Sequence, residues 1–445
     1  MTAERRKYTV EGQNDREGAR IALMTGGMAE NKAYMAAREA LGGDADGTLL
    51  ADFRDRYRCY REGWRALPRD AVAQKLTGDD FRTQGHVPLC VDLESAAVCD
   101  LACPFCYRQF IATPDKIMDP ELAFKIIDQA ADLRVPSMKF NWRGEPLLNP
   151  KLPDFIAYAK KRGILETIIN TNATELDETM SRRLIDAGLD LMIYSFDGGT
   201  KESYEKMRPG RFRENSFERV HANIRRFAEI RREMDAKFPW TRIQMILTEE
   251  TFAEQNSFHA LFDDCVDDVS VKQYTERGAQ IAEFDESART KLSAARKKLN
   301  LDKDATCMRD ANGDLFIATG RLPCEQPYQR LLVTYDGRVG MCCYDWGAKH
   351  PVGYVDDVSF TDPEKEYRTI VDKARASKKG FEGMAAAILP ETLNDPQTRT
   401  ATLEDIWYGA EIDAVRLAHA EERADEVAVC ATCPFKDTYR WEKVT

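Results

Sequence analysis

The sequence predicts an α/β fold whose centre is a partial, TIM-like barrel of six β/α units. Between residues 87 and 275, short apolar runs alternate with amphipathic helical segments, which is typical of a parallel sheet covered by helices. Six such units are too few to close an eight-fold barrel, so an open or partial barrel is expected. We expect a helical N-terminal extension over 1–86, the barrel over 87–280 and a smaller C-terminal domain over 281–445.

The composition argues against several classes of protein. Of the 445 residues, 43% are hydrophobic, which is enough for a sizeable core. No apolar run approaches the roughly 18–20 residues of a membrane span, and the N-terminus carries no secretory signal. We therefore expect a cytoplasmic protein without a membrane partner. The net charge of −11 argues against a nucleic-acid partner, because such binding rests on clustered Lys and Arg.

The elements follow in a regular order. Residues 1–85 are polar and helical in pattern, with no motif that points to chemistry. In the barrel, Asp119 and Pro120 open the first helix, while Gly163 and Gly188 end the next two. The predicted strands are 88–93, 137–141, 166–170, 189–196, 241–247 and 269–274, and the predicted helices are 119–133, 151–162, 177–187, 216–236 and 254–265.

The C-terminal third is less regular. Residues 276–320 form a polar connection with a basic helix at 289–298. A hairpin is predicted at 331–339, with Asp336 and Gly337 at its turn. An amphipathic helix follows near the end of the chain, marked by Leu403, Ile406, Trp407, Val415 and Leu417.

Three of the twelve cysteines form a C-x3-C-x2-C motif directly after the first strand, namely Cys99, Cys103 and Cys106. Grouped cysteines in a reducing compartment more often bind metal than form disulfides, and thiolates suit iron–sulfur clusters or zinc. A [4Fe–4S] cube usually takes four cysteines, so three leave one iron free to bind an outside molecule through an amine and a carboxylate. A structural zinc site would need a fourth ligand, and Cys90 is close in sequence.

This motif resembles that of radical S-adenosylmethionine enzymes, and the resemblance covers roughly 87–275. Phe105 matches the aromatic position before the third cysteine of that family. The resemblance implies a [4Fe–4S] cluster, held by the three cysteines, that binds S-adenosylmethionine. Gly144 and Glu145 match the last two positions of the family's Gly-Gly-Glu segment, which holds the methionyl amino group. The remaining cofactor contacts that the resemblance implies, at successive strand ends, are Thr171, Asn172, Ser195, Asp197 and Arg208.

A second group of cysteines lies near the C-terminus. Cys324 and Cys342 flank the predicted hairpin, and Cys430 and Cys433 form a C-x2-C pair. This pattern resembles the auxiliary-cluster extension of the same family, called SPASM or, in its one-cluster form of a β-hairpin plus helix, twitch. The resemblance implies one auxiliary [4Fe–4S] cluster with four cysteine ligands.

Cys343 is set apart from Cys342 because adjacent strand residues face opposite ways. It is a spare buried thiol, an alternative ligand or a hydrogen-atom donor. Cys59, Cys90, Cys265 and Cys307 are expected to be small core residues.

The function implied is reductive cleavage of S-adenosylmethionine to a 5′-deoxyadenosyl radical, which takes a hydrogen atom from a substrate and so oxidises or rearranges it. An electron donor such as flavodoxin or ferredoxin would be the partner. We expect a small polar, sugar-like or aminocyclitol-like substrate, as for relatives resembling 2-deoxy-scyllo-inosamine dehydrogenase, since the N-terminus shows no leader-binding module. Arg143, Lys272 and Arg277 could meet an anionic group or simply line a solvated rim. Alternatives are a peptide- or protein-modifying maturase and, in another class, a non-catalytic iron–sulfur electron carrier or a zinc-bound scaffold.

Overall fold

A computed structural model of the chain describes most of the predicted barrel and parts of both flanking regions. The described residues are 10–11, 47–106, 108, 113–248, 251–273, 286–299, 307–309, 314–345, 348, 350–356, 400–431, 433, 435 and 438–444. The prediction at Arg277 lies outside them. None of the helices in these ranges is long and apolar enough to cross a membrane.

The centre of the fold is a ten-stranded sheet that contains all six predicted parallel strands. These are β2 (Cys90–Leu93), β3 (Ser137–Lys139), β4 (Glu166–Thr171), β5 (Leu191–Ser195), β6 (Trp240–Leu247) and β7 (Asp268–Gln273). Each pairs in parallel with the next along the chain. The predicted α/β class and six-unit parallel core are confirmed.

The sheet is wider than predicted at both edges. A short strand, β1 (Val10–Glu11), pairs in parallel with β7. At the other edge, β10 (Arg330–Val333) pairs in parallel with β2 and then forms the predicted hairpin with β11 (Arg338–Gly340). Gly337 takes a φ of 88° in the turn, and β12 (Gly353–Tyr354) completes the sheet. The hairpin therefore continues the barrel sheet into the C-terminal region.

Helices cover the outer face of this sheet. Asp119 caps the first barrel helix, and Gly163 and Gly188 adopt positive φ after the next two, as predicted. The barrel helices are α3 (Pro120–Asp132), α4 (Leu152–Lys161), α5 (Glu178–Asp186), α6 (Lys201–Met207), α7 (Phe217–Glu233) and α8 (Gln255–Phe262). The short α6 was not predicted; it begins at Thr200, whose side chain caps it.

The N-terminal extension supplies α1 (Gly47–Gln74) and α2 (Gly78–Gln84). Helix α1 closes the base of the barrel at the amino ends of the strands. There the Tyr60 hydroxyl donates a 2.7 Å hydrogen bond to the carboxylate of Glu166, the first residue of β4, and Arg61 lies 3.4 Å from the same carboxylate. All three side chains are buried. This polar contact fixes the extension to the barrel.

The C-terminal region contains a second sheet that the sequence did not predict. β8 (Cys307–Arg309), β9 (Leu315–Arg321) and β13 (Tyr439–Val444) form a three-stranded antiparallel sheet in the order β13-β9-β8. The sequence analysis places β8 and most of β9 in the polar connection over 276–320, because β8 is short and the partner strand β13 is remote in sequence. The remaining helices are α9 (Glu286–Lys298), α10 (Gln326–Gln329), α11 (Leu403–Trp407), α12 (Ala410–Ala420) and α13 (Ala428–Ala431). The predicted amphipathic helix is thus two helices, separated at Tyr408 and Gly409.

Candidate active site

The loop that carries Cys99, Cys103 and Cys106 lies at the carboxyl edge of the parallel sheet. The Cys106 amide donates to the Cys103 carbonyl at 3.0 Å, which closes a tight turn between them. The loop is held by neighbouring backbone: Ala102 donates to the Pro209 carbonyl at 2.8 Å. Burial raises the pKa of the Cys103 thiol to about 12 and raises that of Cys99 as well. Thiolates in such a place need a cation beside them, which a bound metal cluster supplies.

Gly144 and Glu145 join the end of β3 to this loop. A Cβ on Gly144 would lie 2.3 Å from the Ala96 carbonyl oxygen and 2.4 Å from that of Val98, so only glycine fits against the cysteine loop. The Glu145 amide donates to the same Val98 carbonyl at 2.9 Å. The glycine of the predicted segment is thus explained by close backbone packing.

The Glu145 carboxylate is buried and accepts hydrogen bonds from three groups of the next strand and its own turn. These are the Thr171 hydroxyl at 2.6 Å, the Asn172 amide at 2.7 Å and the Leu147 amide at 3.1 Å. Desolvation and the nearby charge of Asp100 raise the pKa of Glu145 to about 8. A buried pair of carboxylates favours a cationic ligand group such as an ammonium, which agrees with a site for the methionyl amine.

Asp100, inside the cysteine motif, was missed by the sequence analysis. It accepts hydrogen bonds from the Asn172 side chain at 2.8 Å and from the Thr174 hydroxyl at 2.6 Å. The contact ties the cysteine loop to the end of β4. The sequence did contain a signal for Asp100, because it lies between Cys99 and Cys103, two predicted cluster ligands.

Asp197 and Arg208 form a buried ion pair beside the cysteines. Asp197 accepts from Arg208 Nε at 2.9 Å and lies 2.6 Å from Nη2, while its other oxygen accepts from the Ile246 amide at 2.6 Å. The guanidinium carbon of Arg208 lies 5.8 Å from the centroid of the Phe105 ring, and its Nη1 lies 4.0 Å from the Cys103 sulfur. The structure therefore brings four predicted site residues together.

Ser195 and Arg143 were also predicted to lie at the site, and the structure places them differently. Ser195 is the last residue of β5, half-buried, and lies beside Gln244 of β6 in register. Arg143 does not face an anionic ligand: both its side chain and that of Glu94 are fully buried, and they form a two-point ion pair at 2.6 and 2.7 Å. That anion-binding expectation is wrong for Arg143, because the guanidinium is already neutralised by a carboxylate at the end of β2.

The C-terminal cysteines form a second site at the edge of the hairpin. Cys324 precedes α10, Cys342 follows β11, and the Cys433 amide donates to the Cys430 carbonyl at 3.2 Å. Burial raises the pKa of the Cys324 thiol, and the charges of Glu325, Cys430 and Cys433 raise it further. Burial likewise raises the pKa of Cys430 to about 12. The charges of Cys430 and Cys433 act on Cys324, and those of Cys324 and Cys433 act on Cys342, so the three segments face one another.

His419 and Arg321 brace this second site, and the sequence analysis missed both. His419 accepts from the Cys324 amide at Nδ1 (3.1 Å), and its Nε2 lies 3.3 Å from the Cys430 sulfur. Burial lowers the pKa of His419 to about 4, so the neutral ring carries its proton on Nε2 and donates it towards that sulfur. Arg321 donates to the Cys433 carbonyl at 3.0 Å and packs over the Tyr439 ring. No spacing pattern links these residues in the sequence.

Cys343 lies in a turn after β11 rather than in a strand, so the opposite-face argument that separated it from Cys342 is wrong. A hydrogen bond between the two thiols, together with burial, raises the pKa of Cys342. All twelve cysteines are free of disulfides. Of the four cysteines expected in the core, Cys90 is buried and Cys265 and Cys307 are half-buried, whereas the expectation is wrong for Cys59, which lies on an exposed face of α1. Within the described ranges, no three His, Cys, Asp or Glu side chains converge closely enough to hold a single metal ion.

Comparison with known families assigns two domains to the chain. Residues 93–249 match the sequence model of the radical SAM superfamily. Residues 324–378 match the model of SPASM, an iron–sulfur cluster-binding domain. The protein therefore contains a radical SAM domain, which uses a [4Fe–4S] cluster and S-adenosylmethionine. This domain is followed by a SPASM domain with its auxiliary iron–sulfur chemistry.

Curated relatives match parts of the chain. The chain is 35% identical over 108 residues to the tungsten-containing aldehyde ferredoxin oxidoreductase cofactor-modifying protein of Pyrococcus furiosus (24% of this chain, 30% of that protein). It is 30% identical over 156 residues to GTP 3′,8-cyclase of Chlorobaculum tepidum (35% and 44%). It is 36% identical over 110 residues to PqqA peptide cyclase of Granulibacter bethesdensis (24% and 29%). Less than half of each of these relatives is matched.

Solved structures to which the chain is similar include BtrN in complex with AdoMet and 2-DOIA, at 14% identity and a TM-score of 0.39. That match covers 80% of this chain and 99% of that one. Streptococcus suis SuiB bound to precursor peptide SuiA has 13% identity and a TM-score of 0.47, covering 89% of this chain and 76% of that one.

Proposed function

We propose that this protein is a radical SAM enzyme that removes a hydrogen atom from a small polar substrate. The observation that carries the proposal is the convergence of Cys103, Phe105, Arg208 and Asp197 at the carboxyl edge of a sheet whose residues match the radical SAM superfamily. When bound, the cluster and S-adenosylmethionine supply a 5′-deoxyadenosyl radical.

The carboxyl edge of the parallel sheet and the cysteine loop over 99–106 together form the rim of the barrel. We assign a separate task to each site residue of this rim. Cys99, Cys103 and Cys106 hold the cluster, and Gly144 lets the backbone after β3 pack against their loop. Glu145 receives the methionyl ammonium, since its buried carboxylate gains from a nearby cation. Arg208, fixed by Asp197, orients the carboxylate of the cofactor. Thr171, Asn172 and Ser195 contribute hydroxyl and amide contacts to its ribose and carboxylate, and Phe105 packs beside the site.

The second site holds one auxiliary [4Fe–4S] cluster through Cys324, Cys342, Cys430 and Cys433. The neutral His419 donates a hydrogen bond to one of these sulfurs, and Arg321 holds the Cys433 backbone. Such groups around the cysteines set ligand orientation and cluster potential. An oxidation of the substrate would deliver its electron to this cluster. The four-ligand assignment leaves Cys343 as a neighbouring thiol.

The electron donor and the cellular compartment that we propose follow from the iron–sulfur chemistry. The rim cluster requires one electron from a reduced donor such as flavodoxin or ferredoxin. Twelve cysteines without a disulfide fit a reducing compartment, and we propose a cytoplasmic enzyme with the domain boundaries 1–86, 87–280 and 281–445.

The test is anaerobic reconstitution with iron and sulfide, followed by incubation with S-adenosylmethionine with and without dithionite. We expect 5′-deoxyadenosine and methionine in the reduced sample alone. An intact, reduced cluster without 5′-deoxyadenosine would favour an electron carrier instead. Zinc without labile sulfide in the purified protein would favour a scaffold.

A peptide substrate is the competing interpretation, favoured by the 36% identity with PqqA peptide cyclase over 110 residues. Mass spectrometry of peptide and small-molecule pools after turnover separates the two. A mass change confined to peptides would replace our proposal with a peptide maturase.

A further inference from the structure

The inner face of the barrel sheet carries a tier of polar side chains that the cofactor site does not use. We define the tier as Asn170 of β4, Gln244 of β6 and Ser270 of β7. Ser270 lies beside Gln244 in register, and Gln244 lies beside Ser195. Side chains alternate between faces along a strand, and the intervening residues pack on the helices. These three therefore point into the lumen.

The polar atoms of the tier are buried and have no hydrogen-bond partner in the described part of the chain. They are Asn170 Oδ1, Gln244 Nε2 and Ser270 Oγ. Ser270 as a whole is only 3% exposed. Buried polar groups in native proteins almost always find a partner, so three unpaired groups at one level call for a ligand or water.

Several polar groups above and below the tier have partners within the protein. Towards the base, Arg242 pairs with Asp268 at 2.5 Å and Arg330 with Asp92 at 2.9 Å. Towards the rim, the Ile246 amide is bound by Asp197. Asn170 and Gln244 each lie two residues before a rim contact, which places the tier roughly 7 Å below it at about 3.3 Å per residue. The unpaired level is therefore next to the proposed cofactor site.

The chemistry of the tier fits hydroxyl groups. Asn170 Oδ1 can only accept, Gln244 Nε2 can only donate, and the Ser270 hydroxyl can do both. A hydroxyl satisfies an acceptor and a donor at once, whereas a phosphate has no donor and an ammonium no acceptor. None of the three side chains is charged. A neutral ligand with neighbouring donors and acceptors, such as the hydroxyls of a polyol, is therefore complementary to the tier.

We infer that Asn170, Gln244 and Ser270 are the specificity-determining residues for a polyhydroxylated substrate, a cyclitol or sugar, held below the cofactor. This inference rests on the proposed radical SAM function and names the side chains that recognise the substrate. A ligand that pairs all three groups is bound with its carbon skeleton facing the rim, where a C–H bond is within reach of the reaction.

The experiment measures binding of scyllo-inositol and 2-deoxystreptamine to the S-adenosylmethionine-loaded holoenzyme by isothermal titration calorimetry, with cyclohexanol as a probe bearing one hydroxyl. We expect at least one polyol to bind and cyclohexanol not to bind. Gln244→Leu and Ser270→Ala should each weaken polyol binding roughly tenfold. The matched surface variants Gln74→Leu and Ser257→Ala, at exposed positions, should not change it.

The melting temperature of the ligand-free protein provides a second readout. Removing an unpaired buried polar group should leave that temperature unchanged or raise it, while a group that supports the fold through ordered water should lower it. Lower melting temperatures with unchanged polyol affinity would overturn the inference, as would failure of both polyols to bind an enzyme that forms 5′-deoxyadenosine. Absence of 5′-deoxyadenosine itself would instead contradict the proposed function.

Discussion

The two cysteine sites are assembled in different ways. The rim site takes its three cysteines from one loop of eight residues, and the strand ends around that loop supply an ion pair and carboxylates. The C-terminal site gathers four cysteines from positions 324 to 433 and is braced by His419 and Arg321. In the proposed function, the first leaves a coordination position for a ligand, while the second has all four cysteine ligands. We propose that this difference separates a site for chemistry from a site for electron transfer.

The largest effect is expected from Cys103→Ala. The variant should lose one four-iron cluster, about half of the iron, and all formation of 5′-deoxyadenosine, because a cube with two cysteines is not retained. Iron and sulfide analysis with the cleavage assay checks this. Cys59→Ala, at an exposed cysteine, is the control and should behave as wild type. Cleavage by Cys103→Ala would remove the rim loop from the catalytic account.

Breaking the ion pair of the rim should cost stability as well as cofactor binding. Arg208→Ala leaves Asp197 as a buried, unpaired carboxylate, so we expect a loss of about 3–5 kcal/mol in the free energy of unfolding. Urea denaturation of the apoprotein measures it. The exposed Arg182 pairs with Glu178 on the surface, and Arg182→Ala should cost at most about 1 kcal/mol. Equal losses for the two variants would show that the rim pair has no special role.

Gly144→Ala tests the rim site separately from the C-terminal site, because it distorts the backbone of the rim without removing a polar group. The added methyl group would press on the carbonyls of Ala96 and Val98, and we expect a loss of about 1–3 kcal/mol with weaker binding of S-adenosylmethionine. Equilibrium dialysis and urea denaturation give the two numbers. Gly320→Ala in β9 meets only an Arg440 side-chain carbon at 3.9 Å and should change stability by less than about 0.5 kcal/mol.

The smallest effect on cofactor cleavage is expected from Cys430→Ala. This variant should also lose about half of the iron, since the auxiliary cube loses a ligand, yet it should still form 5′-deoxyadenosine when reduced. The same iron analysis and cleavage assay apply. A variant that keeps its full iron content would mean that Cys343 takes the vacant place or that Cys430 is not a ligand.

Much of the barrel was predictable because its strands are buried on both faces and its helices carry local start and stop signals. Asp119 acts through side-chain hydrogen bonds to amides two and three residues away, and Gly163 and Gly188 act through their own backbone, so all three are visible in the sequence. The second sheet was missed since β9 and β13 meet across 118 positions (from 321 to 439), and a pairing so remote in sequence leaves no local pattern.

The residues of the two cysteine sites also fall into those that the sequence revealed and those that it did not. The rim cysteines were found by spacing, and Gly144 and Glu145 through the family resemblance, because all of them lie in short contiguous motifs. Asp100, His419 and Arg321 act through contacts with remote segments, which no local pattern reveals. Arg143 was misread for the same reason: its partner Glu94, a buried carboxylate, lies 49 residues away in sequence.

The most direct test of the central claim is electron paramagnetic resonance of the reduced Cys430→Ala variant, in which the rim cluster is the one that remains. Titration with S-adenosylmethionine should shift the g-values of its signal, because the cofactor binds the iron that has no cysteine. A spectrum that stays the same at saturating S-adenosylmethionine would contradict the account.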